Sequence, residues 1–384
     1  MSAFVFHTTP RIICEQGSAN RLHDLAIEFQ ARNVFFVTDP GVLGTGIADQ
    51  PIATLRKAGI NVTVFSDVQP DPPELMVMKA VQAATESSAE LVIGFGGGSS
   101  MDTAKLVALL VKSPQTLEHI YGVGLAKGLR LPLIQVPTTA GTGSEVTPIS
   151  ILTTPQDEKR GVVSPLLLPD VALLDGTLTL GVPAAITAMT GIDAMVHAIE
   201  SFTSKIKKNY ISDSLALKAL QLLYSNIHAV VDDGQNAQAR EHMLLGSMLA
   251  GMAFANAPVA AVHALAYPLG GLYHLPHGLS NSLMLTVVLK FNLQSAVNEY
   301  AELGRAISPE LINATNEEAA TEFVRLITEV VSLMPFAKKL REAGIPQNAI
   351  EPLAKDAMSQ QRLLVNNPRE LTFNDALDLY QAAY

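Results

Sequence analysis

The chain has 384 residues, past the size at which one hydrophobic core stops growing, so two domains are expected. Hydrophobic residues make up 48% and charged residues only 16%, which argues against long disordered segments, and a formal charge of −10 with no basic run longer than Lys207-Lys208 leaves no footprint for nucleic acid. Cys14 is the only cysteine, so neither an intrachain disulfide framework nor a multi-thiolate metal site is available, and any metal ligands must be N and O.

The first ten residues have neither a basic region nor a long apolar core, so a cytoplasmic protein is expected rather than a secreted one. Short β-rich apolar runs at 34–38, 62–65, 91–94, 133–136 and 171–174 predict strands. Helical patterns near 19–31, 50–58, 73–87 and 101–111 lie between them. Continuous apolar strands separated by helices predict an α/β domain with a mainly parallel sheet covered on both faces. The runs 149–154 and 160–163 flank Pro155-Gln156-Asp157-Glu158 and predict a hairpin inserted before the last strand. Near Val182 the strand signals stop, and Ala/Leu/Met-rich helical patterns continue to Tyr384. Gly181-Val182-Pro183 is the expected junction between an α/β dinucleotide-binding domain, 1–182, and an all-helical metal-binding and substrate domain, 183–384. The stretch 243–266 is nearly long and apolar enough to suggest a membrane span, but Asn256, Pro258 and His263 favour a helix buried inside the helical domain.

Strand 91–94 runs into Gly96-Gly97-Gly98-Ser99, followed by Asp102 and Lys105. Glycines without Cβ atoms let backbone approach a diphosphate, and the next helix aims free N–H groups and a positive dipole end at it. The loop matches neither G-x-G-x-x-G nor a Walker A motif, and a tight βα turn with a Ser cap is the structural alternative. After strand 133–136, Pro137-Thr138-Thr139-Ala140-Gly141-Thr142-Gly143-Ser144-Glu145 repeats the pattern with hydroxyls suited to ribose and phosphate. Asp39 ends strand 34–38, where a carboxylate can bond an adenosine ribose and repel a 2′-phosphate, favouring NAD over NADP; the alternative is that Asp39-Pro40-Gly41 is simply a turn.

Asp193 and His197 stand four apart on a predicted helix, so their side chains project from one face and can converge on one divalent cation. Between Glu241 and Lys290 there is no Asp, Glu, Lys or Arg, yet His242, His263, His274 and His277 all occur there. Burying several imidazoles in an uncharged region is costly unless each has a partner, and a cation supplies one. One carboxylate and three imidazoles (Asp193, His197, His263, His277) leave room for an exchangeable ligand, as catalysis requires, and suit Fe(II) or Zn(II). Asp102, Glu145, Glu200 and Asp175 are expected to cap elements or to support these groups from behind.

Taken together, the 96–105 and 137–145 loops, the 191–200 segment, His263-Ala264-Leu265-Ala266-Tyr267-Pro268-Leu269-Gly270 and Pro276-His277-Gly278 resemble the iron-dependent (group III) alcohol dehydrogenases. The match runs over nearly the whole chain, including Asn367-Pro368-Arg369 and Leu379-Tyr380, with a layout similar to that of lactaldehyde reductases (propanediol oxidoreductases). The resemblance implies a dehydroquinate synthase-like fold with the active site between the two domains, and a homodimer. It also implies metal ligands Asp193, His197, His263 and His277, and cofactor contacts Asp39, Gly97, Gly98, Ser99, Asp102, Thr138, Thr139, Thr142 and Lys159, with Asp71, Thr147 and Leu178. Many members carry a histidine, held to assist proton movement, where this chain has Tyr267. A phenol donates a hydrogen bond but is a poorer relay at neutral pH. His274 stands where lactaldehyde reductases have Asn, and either compensates or shapes a different pocket.

The expected activity is reversible, metal-assisted hydride transfer between a primary alcohol, small diol or hydroxyacid and NAD, with proton exit through Tyr267 or His274. A metal- and NAD-using lyase of the dehydroquinate synthase type is the second reading, though a polyhydroxylated acid should require basic residues that the motifs lack apart from Lys105 and Lys159. A metal-storage protein is the third, and it leaves both glycine-threonine loops unexplained.

Overall fold

The computed structural model describes residues 3–156 and 158–384; Asp157, in the turn expected between the hairpin strands, lies outside the described residues, as do Met1 and Ser2. Strands β1 (Arg11–Cys14), β2 (Asn33–Val37), β3 (Asn61–Phe65), β4 (Leu91–Gly96), β5 (Gly122–Val123), β6 (Leu133–Pro137), β7 (Ile149–Thr153), β8 (Lys159–Val163) and β9 (Val171–Leu174) fall in the first half of the chain. With them are helices α1 (Leu22–Glu28), α2 (Pro40–Gly44), α3 (Asp49–Lys57), α4 (Glu74–Glu86), α5 (Gly98–Lys112) and α6 (Leu117–Ile120). Six strands form one sheet in the order β1-β9-β6-β4-β2-β3, every neighbour parallel. Side chains alternate between its two faces: Val34, Phe36, Leu91 and Ile93 join one buried cluster, whereas Phe35, Val37 and Val92 join another. This is the two-sided burial that continuous apolar strands predict. The expected hairpin pairs β7 antiparallel to β8 and, with β5, makes a separate three-stranded sheet.

Four short elements, β1, α2, β5 and the four-residue α6, escaped the sequence pattern. Strand β1 is a short edge strand with mostly exposed residues, and Ile12-Ile13 is too brief an apolar run to mark it. Helix α2 begins with Pro40-Gly41 and buries nothing, and β5 spans two residues.

Residues 7–181 form one compact unit, and residues 182–384, with the segment ending at Phe6, form a second. Its helices are α7 (Ala184–Thr203), α8 (Tyr210–Asp232), α9 (Ala237–Asn256), α10 (Ala261–Tyr273), α11 (His277–Asn292), α12 (Val297–Ile307), α13 (Asn316–Leu333), α14 (Ile350–Ala357), α15 (Gln361–Leu364) and α16 (Phe373–Ala383). The apolar stretch 243–266 is divided between α9 and α10, which turn by 103° at the break holding Pro258; together the pair has the length and composition of a span, but no single helix among the described residues does. The buried Asn366 Nδ2 donates to Val259 O at the break (2.8 Å), and the buried Tyr380 Oη donates to Leu265 O (2.6 Å), so the C-terminal segment pins α10. The N-terminal unit is therefore α/β with a parallel sheet and the C-terminal unit all-helical.

Candidate metal centre and dinucleotide loops

Three helices of the second unit each present a pair of side chains four residues apart: Asp193 and His197 on α7, His263 and Tyr267 on α10, His277 and Asn281 on α11. One ligand atom from each of Asp193, His197, His263 and His277 lies within 4.8 Å of the others, a spacing that a single metal ion can bridge. Asp193, His197 and His263 are buried, and His277 is partly exposed. Close packing of α7 on α11 underlies this convergence, because a Cβ on Gly278 would lie 2.5 Å from Met189 O.

The donors are oriented from behind. Glu200, one turn beyond His197 and itself buried, accepts hydrogen bonds from Ala260 N (3.0 Å) and Val262 N (2.6 Å) at the start of α10, and its Oε2 lies 2.7 Å from His263 Nδ1. One carboxylate thus caps α10 and fixes the His263 proton on Nδ1, leaving the Nε2 lone pair free for a cation. Burial pushes the Asp193 carboxyl up, but His197, His277, His263 and the Asn281 amide outweigh it and hold it below its ordinary value. Phe254 stacks on His197 with ring centroids 4.3 Å apart. The donor chemistry fits a borderline divalent ion: N and O only, mostly dry, with tautomer and carboxylate held in place.

Tyr267 packs edge-on to His263 (centroids 6.4 Å) and tilted against His277 (6.2 Å). Burial pushes its phenol above the ordinary value, Arg362 opposes this, and Asp193 and Glu200 add to it, so the group stays an O–H donor at neutral pH. His274 stands apart: it is exposed, has φ 54°, and ends α10 through its backbone N–H to Gly270 O.

In the α/β unit, α5 starts at Gly98 with no side-chain cap, so its first N–H groups remain open to an anion. A Cβ on Gly98 would lie 2.9 Å from Thr142 Cγ2, so the two loops are brought together and glycine is needed at that position, while one on Gly97 would make only ordinary contact with Thr139 Oγ1 at 3.6 Å. Thr138, buried beside them, donates its N–H to Gly96 O (3.0 Å). Several side chains expected to face a cofactor also make internal hydrogen bonds. Asp39 caps α2 by accepting from Val42 N (3.0 Å) and also accepts from Ser100 Oγ (3.3 Å). Asp102 accepts from Ser144 Oγ (2.6 Å) and Ile151 N (2.9 Å). The fully buried Lys105 donates to Ser144 Oγ (2.7 Å), Thr147 Oγ1 (3.1 Å) and Ile149 O (2.6 Å), tying α5 to the second loop; sequence reading noted its charge but not this role. Burial pushes its ammonium below the ordinary range, with Asp102 and Glu145 opposing. Lys159 pairs with Asp71, which has φ 50°. Leu178 is buried. Among the supporting acids, Asp175 is a cap, accepting from Thr177 N and Ala19 N (3.1 and 3.2 Å), whereas Glu145 is buried with Oε1 unpartnered and its carboxyl pushed up to about 7 by desolvation.

Comparison with known proteins agrees with this arrangement. Residues 9–176 match the family described as iron-containing alcohol dehydrogenase, and residues 187–384 match the C-terminal part of the Fe-containing alcohol dehydrogenase family. The chain is 40% identical over 371 residues to long-chain-alcohol dehydrogenase 1 of Geobacillus thermodenitrificans, covering 96% of this chain and 93% of that one. Among solved structures, a 1,3-propanediol oxidoreductase superposes with a TM-score of 0.96 at 30% identity, covering 100% of both chains. Sulfoacetaldehyde reductase from Bifidobacterium kashiwanohense, solved with NAD+, gives 0.88 at 29% identity, covering 100% of this chain and 99% of that one. The chain belongs to the iron-containing alcohol dehydrogenase family and is an NAD-linked oxidoreductase.

Proposed function

We propose that Asp193, His197, His263 and His277 together hold one divalent ion, Fe(II) with Zn(II) as its competitor, and that the enzyme interconverts a small primary alcohol, diol or hydroxyacid with its aldehyde. The observation that carries this reading is the convergence of four N/O donor atoms within 4.8 Å, three of their residues buried. Bound iron supplies a Lewis acid toward the substrate oxygen, and bound NAD supplies the hydride acceptor.

The chain's own groups do the positioning. Glu200 holds His263 in one tautomer, and Tyr267 offers its hydroxyl as a hydrogen-bond donor rather than as a titrating relay, in keeping with its raised pKa. His274, exposed at the end of α10, is assigned to shaping the rim of the site. Residues 1–182 form the dinucleotide domain and 183–384 the metal and substrate domain. Gly97, Gly98 and Ser99 cradle the diphosphate through backbone N–H groups, with the hydroxyls of Thr138, Thr139 and Thr142 beside them. Asp39, Asp71, Asp102, Thr147, Lys159 and Leu178 shape that surface, several through the internal bonds described above. The enzyme works in the cytoplasm as a homodimer, without nucleic-acid or membrane partners; the charge of −10 supports the absence of a nucleic-acid partner.

The test is NADH absorbance on metal-stripped protein reconstituted with Fe(II) or Zn(II), across short alcohols, diols, hydroxyacids and their aldehydes. Metal-dependent turnover with at least one is expected. Absence of turnover with all of them would overturn the reading and turn attention to the lyase alternative.

A further inference from the structure

Asn281 is fully buried, one helical turn beyond His277 on α11, in the middle of the converging donors. Its Nδ2 lies 2.5 Å from Asp193 Oδ1, 3.2 Å from His263 Nε2 and 3.1 Å from His277 Nε2, while its Oδ1 is buried without a partner. The orientation of this amide follows from its surroundings. Asp193 is an acceptor only, and because His263 Nδ1 is held by Glu200, its Nε2 is an acceptor too. Turning Oδ1 inward would set oxygen against oxygen at 2.5 Å, so the NH2 group must face the cluster. Its two N–H groups then serve Asp193 Oδ1 and His263 Nε2, with His277 Nε2 also within reach, and the far oxygen is left unsatisfied, a cost of roughly 1–3 kcal/mol that an ordinary packing residue would avoid.

We infer that Asn281 is the positioning residue of the metal centre. Its amide donates to Asp193 and holds that carboxylate facing the two imidazoles, keeping the mutually repelling acceptors together before an ion arrives. Glu200 orients the imidazole side of the donor set from behind, and Asn281 orients the carboxylate side from within. The inference rests on the metal reading proposed above and goes beyond it, because Asn281 is not among the four donors.

The experiment compares wild type with Asn281→Leu, close in size but without donors, and Asn281→Ser, which keeps one donor. Purified chains stripped of metal are titrated with Co(II), following its visible absorption bands and its affinity, with thermal unfolding in chelator as the control for folding. Asn281→Leu should bind Co(II) about 10–100-fold more weakly and with altered bands, and Asn281→Ser should recover part of both. Wild-type affinity and bands in both variants would overturn the inference, as would a lowered unfolding temperature with the bands unchanged, which would mark a packing role only. If Asn281→Leu does not fold, Asn281→Ser decides by the same two readouts. Failure of the wild type itself to bind Co(II) would sink the metal reading and this inference with it, whereas binding by wild type with unchanged variants sinks the inference alone.

Discussion

The four converging side chains of the helical unit and the glycine-threonine loops of the α/β unit differ in where their polar atoms point. In the helical unit the donors of Asp193, His197, His263 and His277 face one another, and other residues, Glu200 and Asn281, supply the hydrogen bonds that hold them there. In the α/β unit the charged side chains are engaged by nearby hydroxyls and backbone: Lys105 by Ser144 and Thr147, Asp102 by Ser144 and Ile151 N, Asp39 by its own helix. What remains open there is backbone, at the uncapped start of α5, where Gly98 lies too close to Thr142 for a Cβ. A small divalent ion would be gripped by side chains, whereas a long anionic cofactor would be met by main-chain N–H groups on a braced platform.

That contrast predicts a double dissociation. Lys105→Met should have the largest effect, because it removes the ammonium that donates to Ser144, Thr147 and Ile149 O and that stands 3.5 Å from the partly exposed Asp102. A loss of about 3–5 kcal/mol of stability is expected from leaving these acceptors unpaired, together with weaker NADH binding and undiminished metal content per folded chain. Urea unfolding, NADH fluorescence titration and elemental analysis measure the three; metal loss in this variant would break the comparison. Glu200→Gln should do the reverse, lowering metal affinity about 10–100-fold while leaving NADH binding unchanged, since the Gln amide cannot accept from Ala260 N, Val262 N and His263 Nδ1 together.

The smallest effect belongs to Glu145. Its carboxyl is raised from an ordinary 4.5 to about 7, so between those values the folded state keeps a proton that the unfolded state has released, and stability falls as pH rises through that window. Glu145→Gln removes this dependence. The stability of wild type relative to the variant should decline by roughly 1–3 kcal/mol from pH 4.5 to pH 7 and then level off, as followed by urea midpoints. A difference that stays flat across that range would mean the carboxyl ionises normally.

Much of the helical site was legible in the sequence because helical spacing and charge depletion are local signals. Asp193, His197 and Glu200 fall on one face by periodicity alone, and an uncharged stretch that keeps its histidines marks His263 and His277. Asn281 was not legible, since an amide carries no charge to stand out and its partners come from three different helices. The α/β fold followed from apolar runs buried on both faces, whereas β1 and α2 lie at exposed edges and carry no such run. Asp39 was legible in both of its readings at once, because the same Asp-Pro-Gly signal serves a strand-end carboxylate and an N-cap, and the Val42 N–H it accepts shows the cap.

The central claim is that one divalent ion sits among Asp193, His197, His263 and His277. Diffraction data collected at the iron and zinc absorption edges from crystals of the reconstituted protein test it most directly. The account predicts a single anomalous peak per chain at bonding distance from all four side chains; no peak there, or a peak held by other residues, would contradict it.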